Sequence, residues 1–308
     1  MELNDYQKKI VELKEEKNAL LLVHNYQIPE LQVIADYLGD SLQLARKAAE
    51  AEEYDRIVFC GVDFMAETAA ILNPDKRVLL PSISARCPMA AMLPMTTLRI
   101  SKATYPGAPV VLYVNTLAEA KAEADVVCTS SNAADIVAQL DSKEILFGPD
   151  KNLGWYVQQQ LPEKKIIPIP EDGHCRVHRM FGDGSEAMKL KEQYPDAEIL
   201  VHPECEPEFQ KKADYVLSTG GMVKRARESN AKVFIIGTEI GLTQRLQREN
   251  PDKVFLPAQK YAECSAMKRI DLKNTYEALK HDRTWILVPD NIAEKARLPI
   301  EKMLAMSK

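Results

Sequence analysis

Short apolar segments alternate with amphipathic segments along this chain, and the alternation repeats three times. The apolar runs lie at 20–23, 56–60 and 77–80, then at 110–114, 125–129, 144–147 and 165–169, and finally at 198–202, 214–218, 232–236 and 253–256. The segments between these runs carry apolar residues at helical spacing. This alternation is typical of βαβ units around a parallel sheet, so we predict a strand at each run and helices between the strands.

One segment of the first repeat, 35–39, is ambiguous. The surrounding sequence PELQVIADYLGD favours a helix when it is considered alone. Its alignment with ADVVCTS in the second repeat and ADYVLSTG in the third places it where those repeats have an apolar run. Because the repeat constrains the architecture more strongly than local propensity does, we predict a strand at 35–39.

Polar landmarks keep the same period as the apolar runs. An Ala-Asp pair recurs every 89 residues, at Ala35-Asp36, Ala124-Asp125 and Ala213-Asp214. A glycine followed two residues later by a carboxylate recurs at intervals of 87 and 89, as Gly61 with Asp63, Gly148 with Asp150 and Gly237 with Glu239. A shared period of this length indicates a triplicated α/β subdomain. We therefore predict three pseudo-threefold-related α/β/α sandwich domains with parallel four-stranded sheets around a central site.

The predicted domains are 1–86, 87–174 and 175–284, with the C-terminal segment 285–308 joining the first domain. Amphipathic helices at 3–17 and 290–306 lie outside the repeat, and we expect both to pack on the first domain.

Composition and charge exclude several classes of partner. The 308 residues are 46% hydrophobic and 28% charged, with a net charge of −5, which predicts a compact protein without a basic surface for nucleic acid or anionic membranes. Apolar stretches such as ALLLV are far shorter than a membrane span, and the charged N-terminal segment has no apolar signal core. We therefore expect a cytoplasmic protein. Neither a dinucleotide-binding fingerprint nor a P-loop is present.

Three of the six cysteines share one position in the repeat. Cys87, Cys175 and Cys264 are 88 and 89 residues apart, and each follows an apolar run closed by proline and a short polar loop. Pseudo-threefold packing would bring their thiols together, so we predict a metal site. Three thiolates suit either a [4Fe–4S] cluster with one iron lacking a protein ligand or a zinc ion with an open fourth position. Both would be catalytic rather than structural.

Further candidates lie at the predicted carboxyl ends of the strands, where parallel sheets bind ligands. Ser41, Ser130 and Thr219 begin helices, and besides acting as N-caps they would present helix N-termini to carboxylate or phosphate groups. His24, His178 and His202 can bind carboxylates or transfer protons. Tyr26, Tyr113 and Glu204 are the other candidates for proton transfer.

The chain resembles the quinolinate synthase family (NadA), iron–sulfur enzymes of NAD biosynthesis. The matching phrases span nearly the whole chain, and they include HNYQIPE (24–30), GDSLQLARKA (39–48), CPMA (87–90), VLYVNT (111–116), GHCRVH (173–178), VHPEC (201–205), STGGM (218–222) and IGTEIG (236–241). The resemblance implies a transferase-type condensation of iminoaspartate with dihydroxyacetone phosphate to quinolinate, with release of phosphate and water. It also implies that an aspartate-oxidising enzyme supplies iminoaspartate transiently.

The resemblance assigns roles to individual residues. Cys87, Cys175 and Cys264 would hold a [4Fe–4S] cluster whose open iron acts as a Lewis acid in dehydration. Tyr26 and Glu204 would form the acid/base pair, with His202 assisting. The substrate's carboxylates and phosphate would be held by residues from all three repeats: His24, Ser41, Tyr113, Asn115, Ser130, His178, His202, Glu204, Ser218 and Thr219. Two other functions stay open from the residues alone: a zinc-dependent lyase or aldolase on the same thiols, and a non-enzymatic iron–sulfur sensor or scaffold.

Overall fold

The computed structural model describes residues 2–307 and contains three parallel four-stranded sheets. The strands are β1 Ala19–His24, β2 Tyr37–Gly39, β3 Arg56–Cys60, β4 Arg77–Leu79, β5 Val110–Tyr113, β6 Val126–Cys128, β7 Glu144–Gly148, β8 Lys165–Pro168, β9 Glu198–Val201, β10 Tyr215–Val216, β11 Val233–Gly237 and β12 Val254–Pro257. Every predicted strand is present, including β2 in the segment whose local sequence favoured a helix. The prediction from the repeat register is confirmed there.

The three sheets have one topology. The strand orders are β2-β1-β3-β4, β6-β5-β7-β8 and β10-β9-β11-β12, and all pairs are parallel. The first strand of each repeat therefore lies inside its sheet, and all six residues of β1 are buried. This architecture confirms the predicted class of three α/β/α units.

Helices connect the strands and flank the sheets. They are α1 Asp5–Glu16, α2 Pro29–Gln32, α3 Ser41–Ala49, α4 Asp63–Leu72, α5 Met95–Thr104, α6 Ala118–Lys121, α7 Ala133–Ala138, α8 Lys151–Gln160, α9 Arg176–Arg179, α10 Ser185–Gln193, α11 Pro207–Gln210, α12 Thr219–Glu228, α13 Ile240–Glu249, α14 Leu272–His281 and α15 Asp290–Met306. Within residues 2–307, no helix is long and apolar enough to cross a membrane.

The C-terminal segment returns to the first sheet. Helix α14 packs against α1 and β3, and Trp285 forms an antiparallel bridge with Leu79 in β4. Helix α15 then packs against α4 of the first unit and against α6 and β6 of the second. The chain thus contacts the first unit from α14 onward, before the predicted junction at 284, and α15 lies between two units. The domain bounds themselves stay a prediction.

The periodic aspartates have a structural role in each sheet. Asp36, Asp125 and Asp214 each accept a hydrogen bond from the backbone N–H near the start of the first strand of their unit, at 2.8, 2.7 and 2.8 Å. Their own backbone N–H groups donate to the carbonyl of the same strand residue. Each aspartate therefore pairs the entry of its second strand with the first strand, which explains why these positions follow the repeat.

We expect Asp125→Ala to lower stability by about 1 kcal/mol, because the buried N–H of Val110 loses its side-chain acceptor. Asp125→Asn keeps an acceptor oxygen and should remain close to wild type. Thermal and urea unfolding measure the difference, with Asp141→Ala in an exposed loop as the control. Equal midpoints for Asp125→Ala and Asp141→Ala would show that the bond does not stabilise the sheet.

Candidate functional site

The first strand of each sheet ends at one central cavity. His24 and Tyr113 are the last residues of β1 and β5, and His202 directly follows β9; the three are 89 residues apart. Two residues after each of them are Tyr26, Asn115 and Glu204. All six side chains line the cavity. Because carboxyl ends of parallel strands lead into helix N-termini, three sheets facing one axis concentrate their chemistry there.

All but one of the predicted site residues line this cavity. The set comprises His24, Tyr26, Ser41, Cys87, Tyr113, Asn115, Ser130, Cys175, His178, His202, Glu204, Thr219 and Cys264. The exception is Ser218, whose Oγ accepts a hydrogen bond from the Gly221 N–H at 3.1 Å as the N-cap of α12. Its position is that of a helix cap beside the cavity.

The three periodic cysteines are the half-buried ones. Cys87, Cys175 and Cys264 reach the cavity, whereas the other three cysteines are fully buried. Burial raises the pKa of each of the three cavity thiols, so each sulfur would lose its proton only on binding a metal. Cys205 points away from the cavity, and its Sγ donates to the Gly237 carbonyl at 3.4 Å.

At least two of the three Sγ atoms are farther apart than the sulfurs of a tetrahedral zinc site. Their Sγ atoms do not all lie within 4.8 Å of one another. A tetrahedral zinc would hold its sulfurs about 3.8 Å apart, given a Zn–S bond of about 2.3 Å. The residues present therefore fit a metal cofactor.

A second set of potential ligand atoms lies beside them. The donor atoms of Cys175, His178 and Glu204 all lie within 4.8 Å of one another. However, Nε2 of His178 is 2.8 Å from Thr238 Oγ1, and Nδ1 is 2.7 Å from Glu204 Oε2, although that contact is not aligned as a hydrogen bond. Both imidazole nitrogens thus already face polar partners, and a metal there would have to displace them.

A chain of polar contacts crosses the cavity wall. The Tyr26 hydroxyl lies 2.6 Å from Thr238 Oγ1, which lies 2.8 Å from His178 Nε2. His178 then contacts Glu204, and the Tyr113 hydroxyl donates to Glu204 Oε1 at 2.5 Å. A hydroxyl, an imidazole and a carboxylate in this order form the arrangement that activates a hydroxyl group. The first tyrosine comes from the first sheet and the second from the second sheet.

Glu204 is an ionised carboxylate in a buried position, with 4% of its surface exposed. Burial by itself would raise the pKa of Glu204, but His178, His202 and the Tyr113 hydroxyl hold that pKa well below its usual value. Burial and the charge of Glu204 raise the pKa values of Tyr26 and Tyr113 well above 10. Both phenols therefore keep their protons and can act as acids.

His24 and His202 are neutral imidazoles held in one tautomer. The backbone N–H two residues on, from Tyr26 and Glu204 respectively, donates to Nδ1 at 3.2 and 3.3 Å. Nδ1 is therefore an acceptor, and the proton lies on Nε2. Burial lowers the pKa of each histidine to about 3. Each histidine presents a neutral N–H donor.

Two of the three expected anion sites at helix N-termini contain a protein carboxylate. Asp40, the N-cap of α3, accepts from the Gln43 N–H at 2.9 Å, and its other oxygen faces Gly220 in the first turn of α12. Ser41 and Thr219, the first residues of these helices, still line the cavity. Asp40 thus links the first and third units at positions where we expected only substrate groups.

Asn115 carries an unpaired polar atom. Its Oδ1 is buried and has no hydrogen-bond partner within residues 2–307. Buried polar atoms in native proteins nearly always have a partner, so an unpaired one on a cavity wall indicates a site for a polar ligand.

Sequence reasoning missed Thr238, which is fully buried. Its phrase IGTEIG matched the family, but the equivalent positions in the other repeats are Val62 and Pro149, so the repeat gave no polar signal. Asp40 was missed because an aspartate before a helix is usually only a cap.

Three α/β/α units that bring thiols, neutral imidazoles and an ionised carboxylate to one cavity define an enzyme whose residues fit a metal cofactor. The chain belongs to the family described as quinolinate synthetase A protein (NadA), which it matches over residues 8–305. A quinolinate synthase from Methanothermobacter thermautotrophicus is 54% identical over 305 residues, 99% of each chain. One from Thermococcus onnurineus is 54% identical over 309 residues, the full length of both chains. One from Thermotoga maritima is 50% identical and covers 96% of this chain and 98% of its own.

We expect His24 and His202 to remain neutral in the metal-free protein from pH 8 to pH 5, because their pKa values are about 3. Nitrogen-15 imidazole spectra should show unchanged Nε2–H tautomers over this range. The unfolded chain takes up protons at these positions near pH 6.5, so both histidines make the folded state less stable as the pH falls below that value. Protonation of either ring above pH 5 would contradict this assignment.

Proposed function

We propose that this chain condenses iminoaspartate with dihydroxyacetone phosphate to form quinolinate, with release of phosphate and water, as a step of NAD biosynthesis. The observation that carries the proposal is the convergence on one cavity of the three periodic thiols and the Tyr26-Thr238-His178-Glu204 chain. Full-length identity of 50–54% to quinolinate synthases supports the same activity.

Cys87, Cys175 and Cys264 are the proposed ligands of a [4Fe–4S] cluster. Three thiolates leave one iron without a protein ligand, and when bound the cluster supplies a Lewis acid for the loss of water. The half-buried positions of these thiols on the cavity wall support this set over the fully buried cysteines.

The substrates carry three anionic groups, namely two carboxylates and a phosphate. His24 and His202 offer Nε2–H donors to them, and the neutral state of these imidazoles costs no buried charge. The hydroxyls of Ser41 and Thr219 adjoin helix N-termini in the first and third units. From the second unit, Ser130 and Asn115 line the cavity, and the unpaired Oδ1 of Asn115 can accept a hydrogen bond from a substrate group.

Tyr26 is the proposed group that exchanges a proton with substrate. Its phenol is protonated at rest and therefore gives a proton first. Thr238 can then pass a proton to the tyrosine oxygen while it takes one from His178, whose imidazolium Glu204 stabilises. In this order Glu204 acts on Tyr26 through two intervening residues, so the acid/base pair expected from the sequence is connected by a relay.

In this scheme Tyr113 supports Glu204 directly, and His202 assists by packing against His178. The ring of His202 stacks on that of His178 with centroids 4.6 Å apart, and its Nδ1 lies 3.9 Å from Glu204 Oε2. Tyr113 occupies the other carboxylate oxygen. Both residues line the cavity, so each can also contact substrate. A cytoplasmic location and a transient supply of iminoaspartate by an aspartate-oxidising enzyme belong to the same proposal.

A zinc-dependent lyase or aldolase is the second candidate function. The specific observation in its favour is the proximity of donor atoms from Cys175, His178 and Glu204. It is the weaker candidate, because a metal at these atoms would break the relay and leave Cys87 and Cys264 without a role.

We expect about four iron and four sulfide per chain after anaerobic purification, with quinolinate formed from the two substrates. Replacement of Cys87, Cys175 or Cys264 by Ala should abolish both the cluster and the product. Cys205→Ala is the matched control, because this cysteine is buried beside the cavity and should leave both intact. Zinc in place of iron, or cluster loss on replacement of Cys205 alone, would contradict the assignment.

Thr238→Val should lower kcat by about 10²–10⁴-fold, the usual contribution of a proton-transfer group, because the isosteric side chain interrupts the relay. Thr238→Ser keeps the hydroxyl and should retain most of the activity. Iron content should match wild type in both variants. Wild-type turnover in Thr238→Val would exclude the relay.

A further inference from the structure

The three periodic carboxylates of the third strands make one contact in common. The backbone N–H of Cys87 donates to Asp63 Oδ1 at 3.0 Å, that of Cys175 to Asp150 Oδ2 at 3.1 Å, and that of Cys264 to Glu239 Oε1 at 3.0 Å. The partners are separated by 24, 25 and 25 residues. The same bond thus recurs at the three cysteines that reach the cavity.

Each carboxylate also binds the first turn of the helix after its strand. Asp63 accepts from the Phe64 N–H at 2.9 Å, Asp150 from the Leu153 N–H at 2.8 Å and Glu239 from the Gly241 N–H at 2.6 Å. A helix start and a cysteine loop are therefore joined through one side chain in every unit, half-buried at Asp63 and fully buried at Asp150 and Glu239.

We propose that Asp63, Asp150 and Glu239 are positioning residues for the cofactor: each fixes the orientation of one ligand cysteine and keeps that cysteine's N–H dipole away from the sulfur. This inference rests on the proposed cluster ligands. Partners of this kind hold metal ligands in place, and their loss usually costs 10–100-fold in metal affinity. Hydrogen bonds and dipoles near the sulfurs also set the reduction potential of an iron–sulfur group.

The three positions differ in their surroundings, which selects the best one to test. Glu239 forms an ion pair with Lys268 at 2.9 Å, and Asp63 lies in the field of the buried Lys121. Asp63 accepts both of its hydrogen bonds on Oδ1, whereas Asp150 and Glu239 use a different oxygen for each bond. Asp63→Asn therefore keeps the acceptor for both N–H groups, whereas Asp63→Ala removes it.

The experiment compares holoenzymes reconstituted anaerobically with iron and sulfide. For Asp63→Ala we expect iron transfer to a chelator about 10–100-fold faster than in wild type, and a more positive midpoint potential in an EPR-monitored titration, because the freed N–H stabilises the reduced cluster. Asp63→Asn should stay near wild type in both. Asp271→Ala is the matched control, since Asp271 caps α14 through the Asn274 N–H without contacting a cysteine.

Asp150→Ala repeats the test in the second unit if Asp63→Ala fails to fold. The proposal is wrong if the alanine variants release iron no faster than Asp271→Ala, or if Asp63→Asn releases it as fast as Asp63→Ala. A wild-type protein that binds no iron through its three thiols would instead overturn the proposed function, so the two failures are distinct.

Discussion

The buried negative charge of Glu204 is the constraint on which the site depends. An ionised carboxylate with 4% exposure is costly unless charged and hydrogen-bonding partners surround it. Those partners come from two units: Tyr113 from the second sheet and His178 and His202 from the third. Burial and this charge together raise the pKa of Tyr26. No single α/β unit could stabilise this group, so the chemistry exists only when the three sheets face one cavity.

Triplication has kept structural positions and diversified chemical ones. Gln32 and Gln210 each donate to backbone carbonyls of the loop after the first strand, and Lys121, 89 residues from both, donates to the equivalent loop of the second unit. The fold needs only a buried donor there. At the strand ends, by contrast, Tyr113 stands where the other two units have histidine, and Glu204 has Tyr26 and Asn115 as its counterparts. The backbone of each unit needs the same hydrogen bonds, while the cavity needs different chemical groups on its three sides.

The strands and most cavity residues could be predicted from the sequence because the period aligns three independent copies of each signal. That alignment identified β2 against its helical local propensity and separated Cys87, Cys175 and Cys264 from the buried cysteines. The period could not predict the role of Thr238, which has no polar counterpart, or the path of α14 and α15, which lie outside the repeat. It also could not predict the contact of Asp40 with α12, since a contact between two helix starts depends on how the units pack.

The three cavity thiols lie in loops that are far apart along the chain and come from different sheets. Any group bound by all of them would close two long stretches of polypeptide at once. Loop closure restricts an unfolded chain far more than a folded one, and a ligand that binds only the folded form shifts the equilibrium toward it. A cofactor bound to all three thiols would therefore hold the three units together, and its loss would weaken the contacts between them as well as remove reactivity.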